Sequence, residues 1–261
     1  MHRNNNNHNE DDYLNEQLDL DLKEKISPLL KNSKEKNNNI VLLTTGAFNP
    51  IHRMHLKILN IAYKHLISKK YNVLCALISP SADCYVRYKR KPSIPFEKRC
   101  DMIQESINDF CDENKDKDMV KIFLNTWEGS HSYFIDFPEV IFKIQNHLNK
   151  LDKNFKIKLV YVCGMDHYIK CHSSFSQNVI AVDRKPYASY NFGDNPKKLI
   201  YFVKDENSEP YSSTAIKEAF EKGDLEKIKK STFPTTYQMI IDFFENLKKN
   251  EEEQGNYENY E

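Results

Sequence analysis

Ile40-Val41-Leu42-Leu43-Thr44-Thr45-Gly46-Ala47-Phe48-Asn49-Pro50-Ile51-His52-Arg53-Met54-His55-Leu56 decides the reading of this chain. A short apolar run gives way to a glycine turn, then to a pair of histidines, then to a helical pattern. Strand, turn and helix start in that order build a phosphate site. The glycine lets backbone N–H groups approach a ligand, the helix start offers unpaired N–H groups and a positive dipole end, and histidines can donate to phosphate oxygens. No GK[ST] follows Gly46, which excludes a Walker loop, and a single glycine excludes GxGxxG.

Outward from this stretch, apolar runs alternate with helical patterns. Strands are expected at Ile40–Thr44, Val73–Ile78, Val120–Leu124, Ile157–Cys163, Val179–Val182 and Leu199–Val203. Helices are expected at His55–Lys69, Pro95–Phe110, Val140–Leu148, 213–222 and about 234–247, from apolar spacing and, for the second, a proline in the first turn. Unbroken apolar strands alternating with helices predict an α/β fold: a Rossmann-like, doubly wound parallel sheet with helices on both faces. Ligands bind such sheets at the carboxyl ends of the strands, where Gly46–His55 falls.

The body is expected to span residues 39–248. Residues 1–38 read as a polar, low-complexity N-terminal extension, disordered over MHRNNNNHNE, with one amphipathic helix from Asp19 to Lys31; residues 249–261 read as a charged C-terminal tail. The 38 basic residues equal the 38 acidic ones, so no global charge points to nucleic acid or an anionic membrane as partner. No apolar run has the length of a membrane span. The six cysteines form no CxxC pair and sit mostly among apolar neighbours, which predicts reduced thiols and an intracellular protein, cytoplasmic or nuclear. Cys163, His167, Cys171 and His172 lack a standard zinc spacing, and no protein metal site is expected.

G-x-F-x-P-x-H-x-x-H at 46–55 resembles the first signature of the nucleotidyltransferase superfamily, HxGH or TxxH, with Met54 at the glycine position. Tyr211-Ser212-Ser213-Thr214-Ala215-Ile216-Lys217 resembles its second, ISSTxxR, with Lys217 in place of arginine. On their own, Ser212 and its neighbours read as an ordinary helix N-cap. Three further segments narrow the branch. Leu77-Ile78-Ser79-Pro80-Ser81-Ala82-Asp83-Cys84-Tyr85, Asn125-Thr126-Trp127-Glu128 and Cys163-Gly164-Met165-Asp166 are similar to the ISPxxDxY, TWE and G-x-D segments of eukaryotic nicotinamide/nicotinate mononucleotide adenylyltransferases. The resemblance covers roughly residues 40 to 245.

The resemblance implies adenylyl transfer from ATP, with Mg²⁺, to a small mononucleotide, releasing pyrophosphate. It implies that Gly46, Ala47, Phe48, Asn49, His52 and His55 hold the triphosphate, His55 at the α-phosphate, and that Ser212, Ser213, Thr214 and Lys217 hold the β- and γ-phosphates. Gly164 and Asp166 would contact adenosine, Trp127 beside Thr126 would stack on the pyridine ring, and Tyr168 or Phe175 would supply the opposing ring. Arg87 follows the ISPxxDxY segment and Arg184 resembles the arginine of a V-x-R-P-x-Y turn; both are expected near the nucleotide, whereas Lys89, Arg90 and Lys91 read as a solvated basic loop. Family members often form homo-oligomers, and no nucleic-acid or membrane partner is implied. Rival readings are another transferase on this fold, using CTP or a different acceptor, and a nucleotide-binding regulator or chaperone with little turnover.

Overall fold

The apolar runs assemble into one six-stranded sheet, and all its pairings are parallel. The computed structural model describes residues 5–89, 92–171, 174, 178–184, 193–205, 207 and 209–257. Strands β1 (Asn39–Gly46), β2 (Asn72–Pro80), β3 (Ile122–Leu124), β4 (Ile157–Gly164), β5 (Val179–Arg184) and β6 (Ile200–Asp205) lie in the order β3-β2-β1-β4-β5-β6. The expected doubly wound α/β fold is the one found. The order reverses between β1 and β4, so the chain leaves these neighbouring strands in opposite directions and opens a crevice at their carboxyl ends.

Nine helices accompany the strands among the described residues: α1 (Asn5–Lys31), α2 (Arg53–Ser68), α3 (Asp83–Lys89), α4 (Phe96–Asp112), α5 (Phe137–Leu151), α6 (Met165–Cys171), α7 (Ser213–Glu221), α8 (Leu225–Ser231) and α9 (Pro234–Tyr257). The pleat sends alternate residues to opposite faces. Ile40, Leu42, Ala76, Ile78, Val160 and Val162 join the core under α2, α4 and α7–α9. Val41, Leu43, Cys75, Leu77, Leu159 and Tyr161 join the core under α1, α5 and α6. Strands β1, β4 and β5 are buried on both sides over most of their length, which is why their sequences read as unbroken apolar runs rather than alternating ones.

The N-terminal segment departs most from expectation. The helix begins at Asn5 rather than Asp19, and its face Leu18, Leu22, Ile26 and Leu30 is buried in the second core. These residues recur every four positions, the spacing that stacks side chains on one helix face. Burying each contributes roughly 1.5–3 kcal/mol, enough to hold an otherwise polar helix on the sheet. At the other end, α9 carries on through the expected tail to Tyr257. Helices α3, α6 and α8 were not expected; each is seven residues long, too short to display a helical period. No described helix is long and apolar enough to cross a membrane.

Leu22→Ala should destabilise the protein by about 2–5 kcal/mol, read as a lower midpoint in one cooperative urea transition. An undocked appendage would leave that midpoint unmoved.

Candidate active site

The turn after β1 carries its donors on a tightly fixed backbone. Phe48 takes a positive φ of 44°, a region that non-glycine residues enter only when their surroundings hold them there. Its ring lies edge-on to His55, centroids 4.8 Å apart. The Asn49–Pro50 peptide is cis. His52 is the N-cap of α2, and its ring stacks on that of His55 at 3.7 Å. The backbone N–H of His52 donates to His55 Nδ1 at 3.1 Å. An acceptor nitrogen carries no hydrogen, so in the neutral His55 ring the hydrogen sits on Nε2 and makes that atom a donor. Arg53, inside the same motif, is engaged elsewhere: its guanidinium binds the Thr232 carbonyl and Glu113.

The second signature meets this turn. Ser212 caps α7 by accepting from the Ala215 N–H at 3.1 Å. Ser213 Oγ donates to the Pro50 carbonyl at 2.7 Å. The Pro92 carbonyl joins both signatures, taking Lys217 Nζ at 2.7 Å and Asn49 Nδ2 at 3.3 Å. Asn49 Oδ1 also accepts from the Ile94 N–H at 2.9 Å. Asn49 therefore latches the 92–94 loop to the turn, and Lys217, 8% exposed, reaches the same loop from α7. Thr214 lies in the first turn of α7.

Gly164 ends β4, adjacent to β1, and Asp166 lies in the first turn of α6. Arg184 ends β5; its backbone pairs in register with Asp205. Trp127, beside exposed Thr126, is 5% exposed and meets His131 in a T-shaped contact at 4.7 Å. Tyr168 packs on Phe202 at 5.0 Å in the same core, and burial raises its phenol above the usual range. Arg87 stands on α3 rather than in a loop, 3.8 Å from Asp83, and lines a cleft of about 650 Å³ with Phe96, Ser130 and His131. Phe175, Arg90, Lys91, His172 and the side chains of Lys89 and Arg184 lie outside the described residues.

Arg99 is the residue that the sequence concealed. Its guanidinium is fully buried. It donates to the carbonyls of Ala47 at 2.8 Å, Ile94 at 3.0 Å and Ser81 at 2.8 Å, and to Asp83 Oδ1 at 2.9 Å. Burial pulls the guanidinium below its ordinary value and the Asp83 hydrogen bond and charge oppose that shift. Glu128, 2% exposed, lies close by and accepts from Ser79 Oγ at 2.9 Å. Burial outweighs the serine bonds and Arg99, and its carboxyl is pushed up to about 7. Gly129 is needed for close approach: a Cβ there would stand 2.5 Å from the Pro80 carbonyl.

A family model described as cytidylyltransferase-like matches residues 43–219. The chain belongs to the cytidylyltransferase-like family. The matched span carries both signatures, Arg99 and the whole crevice of this family fold. Curated relatives named nicotinamide/nicotinic acid mononucleotide adenylyltransferase are similar to it. The protein from Arabidopsis thaliana is 29% identical over 136 residues, 51% of each chain. The one from Oryza sativa subsp. japonica is 27% identical over 133 residues, 50% of this chain and 49% of the relative. The chain thus spans about half the length of the curated relatives it matches. A solved structure of Plasmodium falciparum nicotinic acid mononucleotide adenylyltransferase complexed with NaAD shares the fold, with a TM-score of 0.53 and 19% identity over 80% of this chain and 96% of that one.

Because Glu128 is raised in the folded protein, the fold favours its uncharged form. That contribution is complete below the ordinary carboxylate value of 4.5 and is lost as pH rises through about 7. Wild-type stability should fall by about 3 kcal/mol across this window, and Glu128→Gln, which keeps an acceptor for Ser79, should flatten the curve. Urea melts at pH 5 and pH 8 measure the difference.

Proposed function

We propose that this protein joins ATP to nicotinamide or nicotinate mononucleotide by adenylyl transfer, giving the dinucleotide and pyrophosphate. One observation carries the reading. Two segments 150 residues and more apart in sequence, each resembling half of a triphosphate site, meet through Ser213 and Pro50 at the crevice where the strand order reverses. The names of the curated relatives and the aromatic segment at Trp127 support this acceptor over others on the same fold.

The chemistry suits the donors present. A mononucleotide phosphate is already an anion and attacks the α-phosphorus in line without a general base, so catalysis reduces to positioning and charge stabilisation. His55 Nε2–H faces the α-phosphate in this reading, and His52 helps hold the triphosphate. The α7 N-terminus with Ser213, Thr214 and Lys217 receives the β- and γ-phosphates. The protein side of the site is histidine, hydroxyl, lysine and backbone N–H rather than a carboxylate cage. Mg²⁺ would therefore be held chiefly by the triphosphate and would supply charge neutralisation.

Pyrophosphate release should occur with ATP plus nicotinamide or nicotinate mononucleotide and be much weaker with CTP. Release that prefers CTP, or none with either mononucleotide, sinks the reading. His55→Ala should lower kcat at least about tenfold, or ~1.4 kcal/mol, with the fold intact by circular dichroism. Gly46 gives an independent check. The atoms nearest to a Cβ there belong to the Phe48 ring, at 3.5 Å, an ordinary contact. Gly46→Ala should therefore leave Tm near wild type while raising the KM for ATP about tenfold, as the added methyl crowds a turn that in this reading lies against the triphosphate.

A further inference from the structure

The segment that follows β3 is held from outside the family core. Helix α1 precedes the matched residues 43–219, yet it supplies the polar partners of 124–133. Lys25 Nζ donates to the Leu124 carbonyl at 2.7 Å, and Asn125 Nδ2 donates to Asp21 at 3.3 Å. Glu10 accepts from the N–H and hydroxyl of Ser132 at 3.2 and 3.0 Å. Tyr133 OH donates to Asp11 Oδ1 at 2.7 Å, and the same oxygen lies 3.8 Å from His131 Nε2.

His131 passes this anchoring on to Trp127. A carbonyl can only accept, so the 2.8 Å contact between His131 Nδ1 and the Trp127 carbonyl places a hydrogen on Nδ1. The imidazole is buried and its ring lies against the indole and, at 5.2 Å, against Tyr133. One carboxylate of α1 thus fixes Tyr133 and faces His131, and His131 fixes both the backbone and the ring of Trp127. A cleft of about 300 Å³, lined by Tyr13, Leu14 and Gln17 of α1 and by Asn125, Thr126 and Trp127, separates the helix from the strand end. The indole is held by its place in the second core and by the backbone and ring contacts of His131, which α1 approaches through Asp11.

We propose that Asp11 is a positioning residue for the acceptor end of the site: through Tyr133 and His131 it fixes Trp127 where the pyridine ring of the mononucleotide stacks. This rests on the adenylyl-transfer reading for its substrate and on the contacts above for its geometry. Positioning acts on the group it orients, so losing Asp11 should weaken the mononucleotide and spare ATP.

The test uses the full chain with Asp11→Ala, Asp11→Glu, Tyr133→Phe and, as a comparison within α1, Asp19→Asn. Asp19 pairs with His147 on α5 at 2.5 Å and does not touch 124–133. Asp11→Ala and Tyr133→Phe should each raise the KM for the mononucleotide about tenfold, leave the KM for ATP and Tm near wild type, and increase acrylamide quenching of Trp127, the sole tryptophan. Asp11→Glu should recover part of the loss. The proposal is overturned if the mononucleotide KM does not move, if both KM values rise together, or if Asp19→Asn has the same effect. Should the wild-type chain turn over neither mononucleotide, the adenylyl-transfer reading fails instead. Quenching then decides the positioning claim alone, and unchanged quenching in Asp11→Ala overturns it.

Discussion

A single buried guanidinium holds the loops of this crevice in register. The turn after β1, the turn after β2 and the 92–94 loop are not paired as strands, so their inward carbonyls need donors from elsewhere. Arg99 supplies all three, at Ala47, Ser81 and Ile94, and balances its charge on Asp83. Each carbonyl left bare would cost about 1–3 kcal/mol, and the fork geometry of arginine serves several acceptors from one plane. Lysine, a point donor, could not span them. The 92–94 loop is then gripped a second time, by Asn49 and Lys217, so the histidine turn and the α7 N-terminus share one support.

The sheet was legible in the sequence because parallel strands must be apolar on both faces, and six such runs are hard to read otherwise. The crevice was legible because Gly46–His55 sits where the first run ends. Arg99 was not legible: within Phe96-Glu97-Lys98-Arg99-Cys100-Asp101 it looks like one more solvated charge on a helix. Only the fold shows that this position of α4 points inward under the loops. Asn49 was expected to hold a nucleotide; its side chain also binds the Pro92 carbonyl and the Ile94 N–H, a bracing role for the turn that the sequence did not show. Trp127 was expected at a strand end and stands there, but its contact with His131 and the bond from Tyr133 to Asp11 have no local pattern in sequence.

The extension of helix α1 back to Asn5, and its docking on the sheet, escaped notice for a related reason. Its apolar ridge is one residue wide, Leu18, Leu22, Ile26 and Leu30, in a segment otherwise rich in Asn, Asp, Glu and Lys. Such a helix is marginal alone and gains stability by docking. It docks on the face that α5 and α6 cover around β4 and β1, completing the cover over Cys75 and Leu77 of β2. The cover brings the acidic side of α1 beside the strand ends, where Glu10, Asp11 and Asp21 meet the donors of the 125–133 segment. A structural demand, closing one face of the sheet, thus placed charged residues next to the crevice.

Proton placement at the turn limits what the crevice can do. A general base needs an open lone pair within reach of the proton it removes. At His55 the Nδ1 lone pair is occupied by the His52 N–H, and Nε2 carries the hydrogen. The residue is therefore a fixed donor in its neutral form and remains one if protonated. Donors fixed before the ligand arrives need no reorganisation as charge develops on it. A site of this kind suits a nucleophile that arrives already ionised, as a phosphate monoester does, and is poorly suited to an alcohol or thiol that must lose a proton to attack. In the adenylyl-transfer reading, the backbone hydrogen bond to His55 thereby suits a phosphate acceptor before any contact with the rest of the acceptor is made.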